Sequence, residues 1–220
     1  ISDFKKNWIK IITYHDNYEG WICSKQYREI TYEDYDHLSI NIFPICGSKS
    51  GEIINLSTGD VTPINLGAIL PYYQKGKFKI RKQEYSTNVN LATLNKSDLE
   101  AYSKSLLNTP YLWGGRGHFG IDCSGFSQLV FRLCGIKLPR DAYQQAELGE
   151  IIKPTKSIKG DLAFFENNMG KINHVGIVLE KNKIIHSSGK VRIDELNANG
   201  IYNSDSKSIT HTLAYIKRLF

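Results

Sequence analysis

Residues 111–135 read YLWGGRGHFGIDCSGFSQLVFRLCG, a glycine-rich loop that leads directly into an amphipathic helix. In the second half of this stretch, apolar residues recur three or four positions apart, which is the spacing of one helical face: Phe126, Leu129, Val130 and Leu133. Gly135 is placed to end this helix. The pattern puts Cys123 in the first turn, where unpaired backbone N–H groups and the helix dipole favour negative charge.

A cysteine at a helix start can be both a nucleophile and part of an oxyanion hole, because the N–H groups lower its thiol pKa and donate hydrogen bonds. The alternative is a small buried hydrophobic residue, the usual role of a free cysteine. The polar, glycine-flanked setting of Cys123 favours the first interpretation, whereas Cys134, beside Leu133, fits the second. A Cys23–Cys46 bridge remains possible, since both residues lie in the strand-rich half.

Two of the six histidines are candidates for the base that a thiol nucleophile needs. His174 and His186 lie on consecutive predicted strands, so one can act as the base and the other can orient it. The other four lie near turns, in a polar stretch or in the loop before Cys123, where an ordinary structural role suffices: His15, His37, His118 and His211.

The length of one hairpin loop decides whether the two histidines meet. If residues 180–182 form a three-residue loop, Leu179 pairs with Lys183 and His186 falls opposite Gly176. That register places His174 and His186 on one sheet face as diagonal neighbours, about 7 Å apart at the backbone. A loop of even length would put them on opposite faces.

The composition is that of an ordinary globular protein and excludes disorder, collagen and coiled coil. The 220 residues are 41% apolar, and 28 Lys+Arg against 22 Asp+Glu give a net charge of +6. The densest basic stretch, 75–82, alternates charged and apolar residues like a strand with one solvated face, so nucleic-acid binding ranks lowest. No apolar run approaches the roughly 18 residues that span a bilayer. No cysteine or histidine spacing forms a zinc site, so neither a metal nor a cofactor is expected.

The chain changes character near residue 90. Before it, strand-like runs separated by turn clusters predict small all-β units without a helix, at 8–13, 20–27, 38–43, 61–66 and 77–85. After it, helices are predicted at 97–107, from 123 to about 134, and at 141–148, followed by strands at 161–165, 174–179, 183–187 and 213–219. This order indicates an α+β unit with helices packed on an antiparallel sheet.

Six short motifs in this order resemble the NlpC-type cell-wall peptidases, which are compact papain-like cysteine peptidases. The motifs are YLWGG at 111–115, DCSGF at 122–126, PRD at 139–141, GDL at 160–162, HVG at 174–176 and IHS at 185–187. They cover about residues 97–220. The resemblance implies catalytic roles for Cys123 as nucleophile, His174 as base and His186 as the residue that orients the base. Tyr111 matches the tyrosine that the family places near the oxyanion hole.

The sequence is most similar to one branch, the γ-D-glutamyl-L-diamino-acid endopeptidases, also called dipeptidyl-peptidase VI. This implies bacterial SH3-like barrels over residues 1–92, the first incomplete and the second at about 29–92, before a peptidase domain at 93–220. Asp141 would bind the free amine of L-alanine, and Tyr18 would close the site unless it is only a turn aromatic. The remaining implied substrate-binding residues are Trp113, Asp122, Ser124, Arg140 and Ser187.

The resemblance implies a monomeric bacterial enzyme that hydrolyses L-Ala-γ-D-Glu-diamino acid, a murein-derived peptide, and releases L-Ala-D-Glu. One alternative is a murein endopeptidase or amidase that acts on the intact wall, and another is a non-catalytic wall-binding protein. A sequence that begins without methionine favours an exported or periplasmic protein over a cytoplasmic one.

Overall fold

The computed structural model of the protein describes residues 3–220. The helices are α1 (Tyr32–Ile40), α2 (Leu99–Ser105), α3 (Cys123–Leu133) and α4 (Ala142–Gln145), with 3₁₀ turns at Lys96–Asp98 and Pro154–Lys156. The first strands are β1 (Asp3–Lys5), β2 (Trp8–Ile12), β3 (Glu19–Cys23), β4 (Glu52–Asn55), β5 (Val61–Pro63), β6 (Lys77–Ile80) and β7 (Gln83–Thr87). The later strands are β8 (Arg116–Gly117), β9 (Gly120–Ile121), β10 (Glu150–Ile152), β11 (Leu162–Glu166), β12 (Ile172–Leu179), β13 (Lys183–Ser188), β14 (Lys190–Asn197), β15 (Gly200–Asn203) and β16 (Ser208–Arg218).

Six antiparallel strands of the second half close into a barrel, in the order β16-β11-β12-β13-β14-β15, because β15 pairs back onto β16. Strand β10 adds to β16 outside this ring. The long β16 serves both neighbours, and bulges in its pairings with β11 and β15 allow it to bend. The expected antiparallel sheet is therefore present, and it is closed.

Alternation along the strands divides the core into two layers. Helix α3 packs against the barrel strands β12 and β13 and buries Phe126 and Leu133 with Phe164 and Ile177. A second cluster, which includes Phe165, lies on the opposite strand face: Ala163, Phe165, Val178, Ile184, Leu196, Ile201 and Ile216. Because side chains alternate, the α+β arrangement predicted for residues 93–220 gives each strand one face toward the helix and one face toward the barrel interior.

Two small sheets make up the first half: a three-stranded sheet β1-β2-β3 and a four-stranded sheet β5-β4-β7-β6. The second has its own buried cluster of Cys46, Ile64, Leu70, Phe78 and Val89. All four cysteines are free thiols, so the possible Cys23–Cys46 bridge is absent.

Helix α1 corrects the expectation that residues 1–88 contain strands alone. The predicted strand at 38–43 is wrong, since its first residues belong to α1. The Thr31 side chain accepts a hydrogen bond from the Asp34 N–H at 3.1 Å, and Glu33 and Asp34 add negative charge to the first turn. None of the residues of α1 is buried. The helix therefore rests on its cap and lacks the apolar periodicity by which helices are recognised in a sequence.

Other boundaries differ from the prediction where a turn interrupts a regular pattern. Residues 77–85 form a hairpin rather than one strand, because Arg81 adopts a left-handed conformation at φ 56°. The strand predicted at 20–27 is shorter and begins earlier, since β3 spans Glu19–Cys23. The third predicted helix, 141–148, is only the short α4. Seven strands were not predicted: β1, β4, β8, β9, β10, β14 and β15.

Candidate active site

A cavity of about 410 Å³ lies where the first half of the chain meets the start of α3. It is lined by residues from four segments: Tyr18, Gly20 and Trp21; Tyr111, Trp113, Gly114 and Arg116; Asp122, Cys123 and Ser124; and Arg140, Asp141, Ala142, Tyr143, Ile172 and Asn173. Most of the residues that the sequence singled out therefore share one cavity.

Asp122 builds the helix start that carries Cys123. It is the N-cap of α3, and its carboxylate accepts hydrogen bonds from the Gly125 N–H at 2.7 Å and the Gly114 N–H at 2.8 Å. Arg140 donates to both carboxylate oxygens, at 3.0 and 2.5 Å, and to the Ser124 hydroxyl at 2.9 Å. This buried ion pair fixes the loop before α3 against the helix. The charges of Asp122 and Arg140 are therefore already paired with each other and are not available to a ligand.

The Cys123 thiol is neutral at rest. Burial raises its pKa to about 11, and the Asp122 carboxylate adds to the rise, whereas hydrogen bonds from the backbone of Val175, Ser124 and Cys123 itself lower it in part. The helix start lowers this pKa as expected, but burial and the Asp122 carboxylate outweigh its effect, so the expected low thiol pKa is wrong. The N-cap carboxylate lies at the same helix end and opposes the helix dipole there, and burial disfavours the thiolate. The backbone contacts nevertheless place the sulfur between the start of α3 and strand β12.

The hairpin of β12 and β13 has the predicted register. Leu179 pairs with Lys183 and Gly176 with His186, so the loop spans residues 180–182. The two imidazoles lie on one face of the sheet, with His174 Nε2 and His186 Nδ1 2.8 Å apart. An alanine Cβ at Gly176 would lie 2.9 Å from the His186 Cβ, so glycine leaves room for the pair.

A buried carboxylate continues this row of polar side chains. His186 Nε2 lies 2.9 Å from Asp194 Oδ2, and Arg192 donates to both oxygens of Asp194, at 2.6 and 2.9 Å. Burial raises the pKa of Asp194, but the hydrogen bonds from His186 and Arg192 outweigh it and hold the pKa below its ordinary value. Asp194 is therefore an ionised acceptor behind His186.

His211 covers one face of the expected base. Its ring stacks on His174 with centroids 4.1 Å apart and an interplanar angle of 28°. Burial lowers the pKa of His174 well below its ordinary value, and charges on His186 and His211 would lower it further. Burial lowers the pKa of His211 to about 4. Both rings are neutral at pH 7, as a base that accepts a proton must be.

Of the remaining candidate residues, Tyr111 and Trp113 line the cavity and Ser187 does not. Burial raises the pKa of Tyr111, followed by the negative charges that Cys123 and Asp122 can carry, which places the phenol beside the thiol. Trp113 is 85% exposed and forms an open rim. Ser187 does not line the cavity: its buried hydroxyl donates to the Ile121 carbonyl at 2.8 Å.

Tyr18 reaches the cavity because the turn before it is bound to the second half of the chain. The buried Asp16 carboxylate accepts hydrogen bonds from Arg116 Nη1 at 2.9 Å and from Gln128 Nε2 at 3.0 Å. The Thr13 hydroxyl also donates to Asp16. The Arg116 guanidinium lies 5.5 Å from the centre of the Tyr18 ring. These contacts bring a residue from the first half of the chain to the wall of the cavity that holds Cys123.

Sequence reasoning missed five residues of this neighbourhood: Arg116, Asp16, Arg192, Asp194 and His211. The spacing of Arg192 and Asp194, two positions apart in an alternating stretch, was an available signal for one polar strand face. Nothing local marks His211 or Asp16, because their partners lie far away in the chain.

Neither a metal centre nor a membrane span is found in the described part of the chain. Among residues 3–220, no three His, Cys, Asp or Glu side chains are arranged to hold a metal ion. No helix within these residues is long and apolar enough to cross a membrane.

Residues 108–209 match the NlpC/P60 family. The chain is 28% identical to the γ-D-glutamyl-L-lysine dipeptidyl-peptidase of Bacillus cereus, over 89% of this chain and 66% of the relative. It is 45% identical to the Bacillus subtilis protein of the same name, over 77% of this chain and 60% of the relative. The chain thus spans 66% and 60% of the lengths of these two relatives.

Two solved structures share the fold. An NlpC/P60 family protein from Bacillus cereus superposes with a TM-score of 0.78 at 22% identity, over 99% of this chain and 78% of that one. NlpC2 from Trichomonas vaginalis gives a TM-score of 0.51 at 17% identity, over 98% and 82%. The NlpC-type resemblance is confirmed for residues 108–209, whereas the SH3-like character of residues 1–92 stays a prediction.

Proposed function

We propose that this chain, whose residues 108–209 form an NlpC/P60 family domain, is a cysteine peptidase that releases L-Ala-D-Glu from free murein stem peptides. The bond cleaved joins the side-chain carbonyl of D-glutamate to the amine of a diamino acid. The names of the two Bacillus relatives favour L-lysine as that diamino acid.

The observation that carries this proposal is the charge balance of the cavity. Asp122 is paired with Arg140, and Arg116 is paired with Asp16. Among the described residues, no ion pair is formed by Asp141, which lines the same cavity as Cys123. Asp141 is the N-cap of α4 and interacts with Arg140 only through its charge, so its carboxylate can still bind a cationic group such as the ammonium of an N-terminal L-alanine.

The chemistry begins with a neutral thiol and a neutral imidazole, and the backbone of Val175, the residue after His174, hydrogen-bonds the Cys123 sulfur. As the Cys123 sulfur attacks the D-glutamyl side-chain carbonyl, His174 accepts the thiol proton. N–H groups at the start of α3, together with the Tyr111 hydroxyl, stabilise the oxyanion that forms. His174 then gives its proton to the leaving amine, and the amide bond breaks to leave a thioester. Water adds to the thioester with His174 as base, and the free thiol and the dipeptide acid are released.

The first half of the chain supplies selectivity in this proposal. Tyr18 and Asp141 are far apart in the sequence, but both line the cavity, and both would contact the L-alanine end of the peptide. An alanine that is still bonded to muramic acid carries no ammonium for Asp141 and adds bulk where Tyr18 lies. The enzyme would therefore act on free peptides rather than on the intact wall.

Two other functions make different predictions. A murein endopeptidase or amidase with the same nucleophile would cleave peptides whose alanine is acylated. A wall-binding protein without activity would bind equally well after a Cys123→Ala substitution. The cavity favours a short free peptide over both, because the contacts of Asp16 hold Tyr18 at its wall.

The test is mass spectrometry of the products from L-Ala-γ-D-Glu-L-Lys and from its N-acetyl derivative. Wild type, Cys123→Ala and Asp141→Asn are compared, with Glu147→Gln as a surface control. We expect L-Ala-D-Glu from the free peptide alone, no product with Cys123→Ala, and a raised KM with Asp141→Asn. Equal cleavage of the acetylated peptide would support the wall hydrolase, and no cleavage of either peptide by wild type would support the binding protein.

A further inference from the structure

Three adjacent strands of the barrel carry an uninterrupted row of polar side chains that ends at Asp194. His174 lies on β12 and His186 on β13, while Arg192 and Asp194 lie on β14. His186 pairs directly with Arg192, and Asp194 follows two positions later on the same face. His174, His186 and Asp194 are each at most 6% exposed, so water does not complete their hydrogen bonds. Every proton in the row is therefore assigned by its protein neighbours.

We propose that Asp194 is a positioning residue that fixes the tautomers of His186 and His174, so that His174 presents an unprotonated Nδ1 to the thiol. The proposal rests on the proposed function only for the identity of the substrate. An ionised carboxylate accepts hydrogen bonds and cannot donate them, so the hydrogen atom between Asp194 and His186 belongs to His186 Nε2.

The rest of the row follows from this proton. In the proposed row His186 carries one N–H, on Nε2, so its Nδ1 holds a lone pair and accepts. Its partner, His174 Nε2, lies 2.8 Å away and must donate, which leaves the lone pair of His174 on Nδ1. Through two hydrogen bonds, the Asp194 carboxylate thus determines that His174 Nδ1 is unprotonated. The arrangement needs no net proton transfer along the row.

The surroundings hold Asp194 in its ionised form. Arg192 donates from Nε and Nη2, and a second carboxylate, Asp205, shares that guanidinium at 3.0 Å. If Asp194 were protonated, its O–H could donate to His186 Nε2 and every tautomer in the row would reverse. The ion pair with Arg192 prevents this reversal, because it stabilises the charged carboxylate.

His211 does not compete for the protons of the row. Its Nδ1 lies 2.9 Å from the Thr210 hydroxyl, and it meets His174 through its ring face. A reversed tautomer of His186 would point a lone pair at the Asp194 carboxylate at 2.9 Å in a buried site. Two acceptors at that distance repel each other, so the alternative is disfavoured.

Nitrogen-15 NMR of histidine-labelled protein tests the assignment without any substrate. In wild type at pH 7 we expect the proton on Nε2 and a free lone pair on Nδ1 for both His174 and His186. In Asp194→Ala, the acceptor is lost, and we expect Nδ1–H forms of both rings to appear. The matched control, Arg192→Lys, keeps both the carboxylate acceptor and the positive charge beside it and should leave both tautomers unchanged.

Two rate measurements accompany the spectra. We expect kcat to fall about 100-fold in Asp194→Ala with little change in KM, compared with about 10⁴-fold where a serine-protease triad loses its buried carboxylate. The rate of Cys123 alkylation by iodoacetamide, followed by peptide mass mapping, should fall in parallel. The half-buried Cys23 in the same chain serves as an internal reference.

Each result decides the proposal. A wild-type spectrum with the proton on His186 Nδ1 overturns it, as does a loss of kcat in Asp194→Ala with both tautomers unchanged, which would mean a structural role. Should Asp194→Ala fail to fold, the wild-type and Arg192→Lys spectra still decide the tautomers. If wild type cleaves no peptide, the proposed function fails, while the spectra and the alkylation rates continue to test Asp194.

Discussion

Replacement of Asp16 by alanine should release the hairpin that carries Tyr18 without touching the nucleophile or the base. The Asp16 side chain is 1% exposed and contacts five residues: Arg116, Gln128, Thr13, His15 and Tyr18. Two of these belong to the second half of the chain, so the substitution removes a link between the halves.

The free-energy cost of the substitution depends on the Arg116 guanidinium, which loses its partner. Removal of one partner from a fully buried ion pair costs about 3–5 kcal/mol. Arg116 is 30% exposed and can be partly hydrated, which lowers the figure for this site to about 1–3 kcal/mol. A shift of that size changes the docking equilibrium of the hairpin by about 5- to 150-fold.

Steady-state kinetics with the free and the N-acetylated tripeptide measure the effect. We expect kcat/KM for the free peptide to fall within that range in Asp16→Ala, and the preference for the free peptide to approach that of Tyr18→Ala. Glu19→Gln is the matched control, since it breaks only the exposed Lys10–Glu19 pair of the same hairpin. The reasoning is refuted if Asp16→Ala retains both the rate and the preference within twofold.

Three further outcomes are expected. The imidazole of His174 has a pKa well below 6.5 and the Cys123 thiol has a pKa of about 11, so both groups stay neutral between these two pKa values. We therefore expect kcat to stay level from pH 6.5 upward and to fall only under more acidic conditions. A bell-shaped dependence of kcat on pH, centred near pH 7, would contradict this. Gly176→Ala forces its Cβ against that of His186, so thermal denaturation should show a loss of about 1–3 kcal/mol and kcat should fall at least tenfold. His211→Phe preserves the ring stack on His174. His211→Ala loses this contact, which is worth about 0.5–1.5 kcal/mol, so its kcat should fall about 2- to 12-fold. Equal kcat values for the two variants would show that the stack does not position His174.

Local rules predicted the parts of the site that depend on short sequence separation. The assumption of a three-residue loop between β12 and β13 sufficed to place His186 opposite Gly176, because loop length fixes the register of a hairpin. Helical spacing and a terminal glycine placed Cys123 at the start of α3 in the same way. These predictions needed only neighbours along the chain.

The missed features depend on partners that are distant in sequence or on burial. Asp194 reaches His186 only because β14 pairs with β13, and a stretch rich in charged residues did not indicate that strand. His211 approaches His174 because the barrel closes through β16. The pKa of Cys123 was predicted in the wrong direction, since the helix start was considered without the burial of the thiol or the carboxylate beside it.

The charges around the cavity explain why a neutral thiol suits the proposed reaction. A resting thiolate at Cys123 would be disfavoured by burial and by the negative charge of Asp122. When an ammonium binds near Asp141, its positive charge offsets that carboxylate and makes the cavity more favourable for the negative charge that develops during attack. The thiol is thus protonated while the cavity is empty. In the proposed function, a peptide with a free amine would also supply part of the electrostatic stabilisation for its own cleavage. Selection and activation then depend on the same charged group, which is why N-acetylation should reduce kcat as well as raise KM.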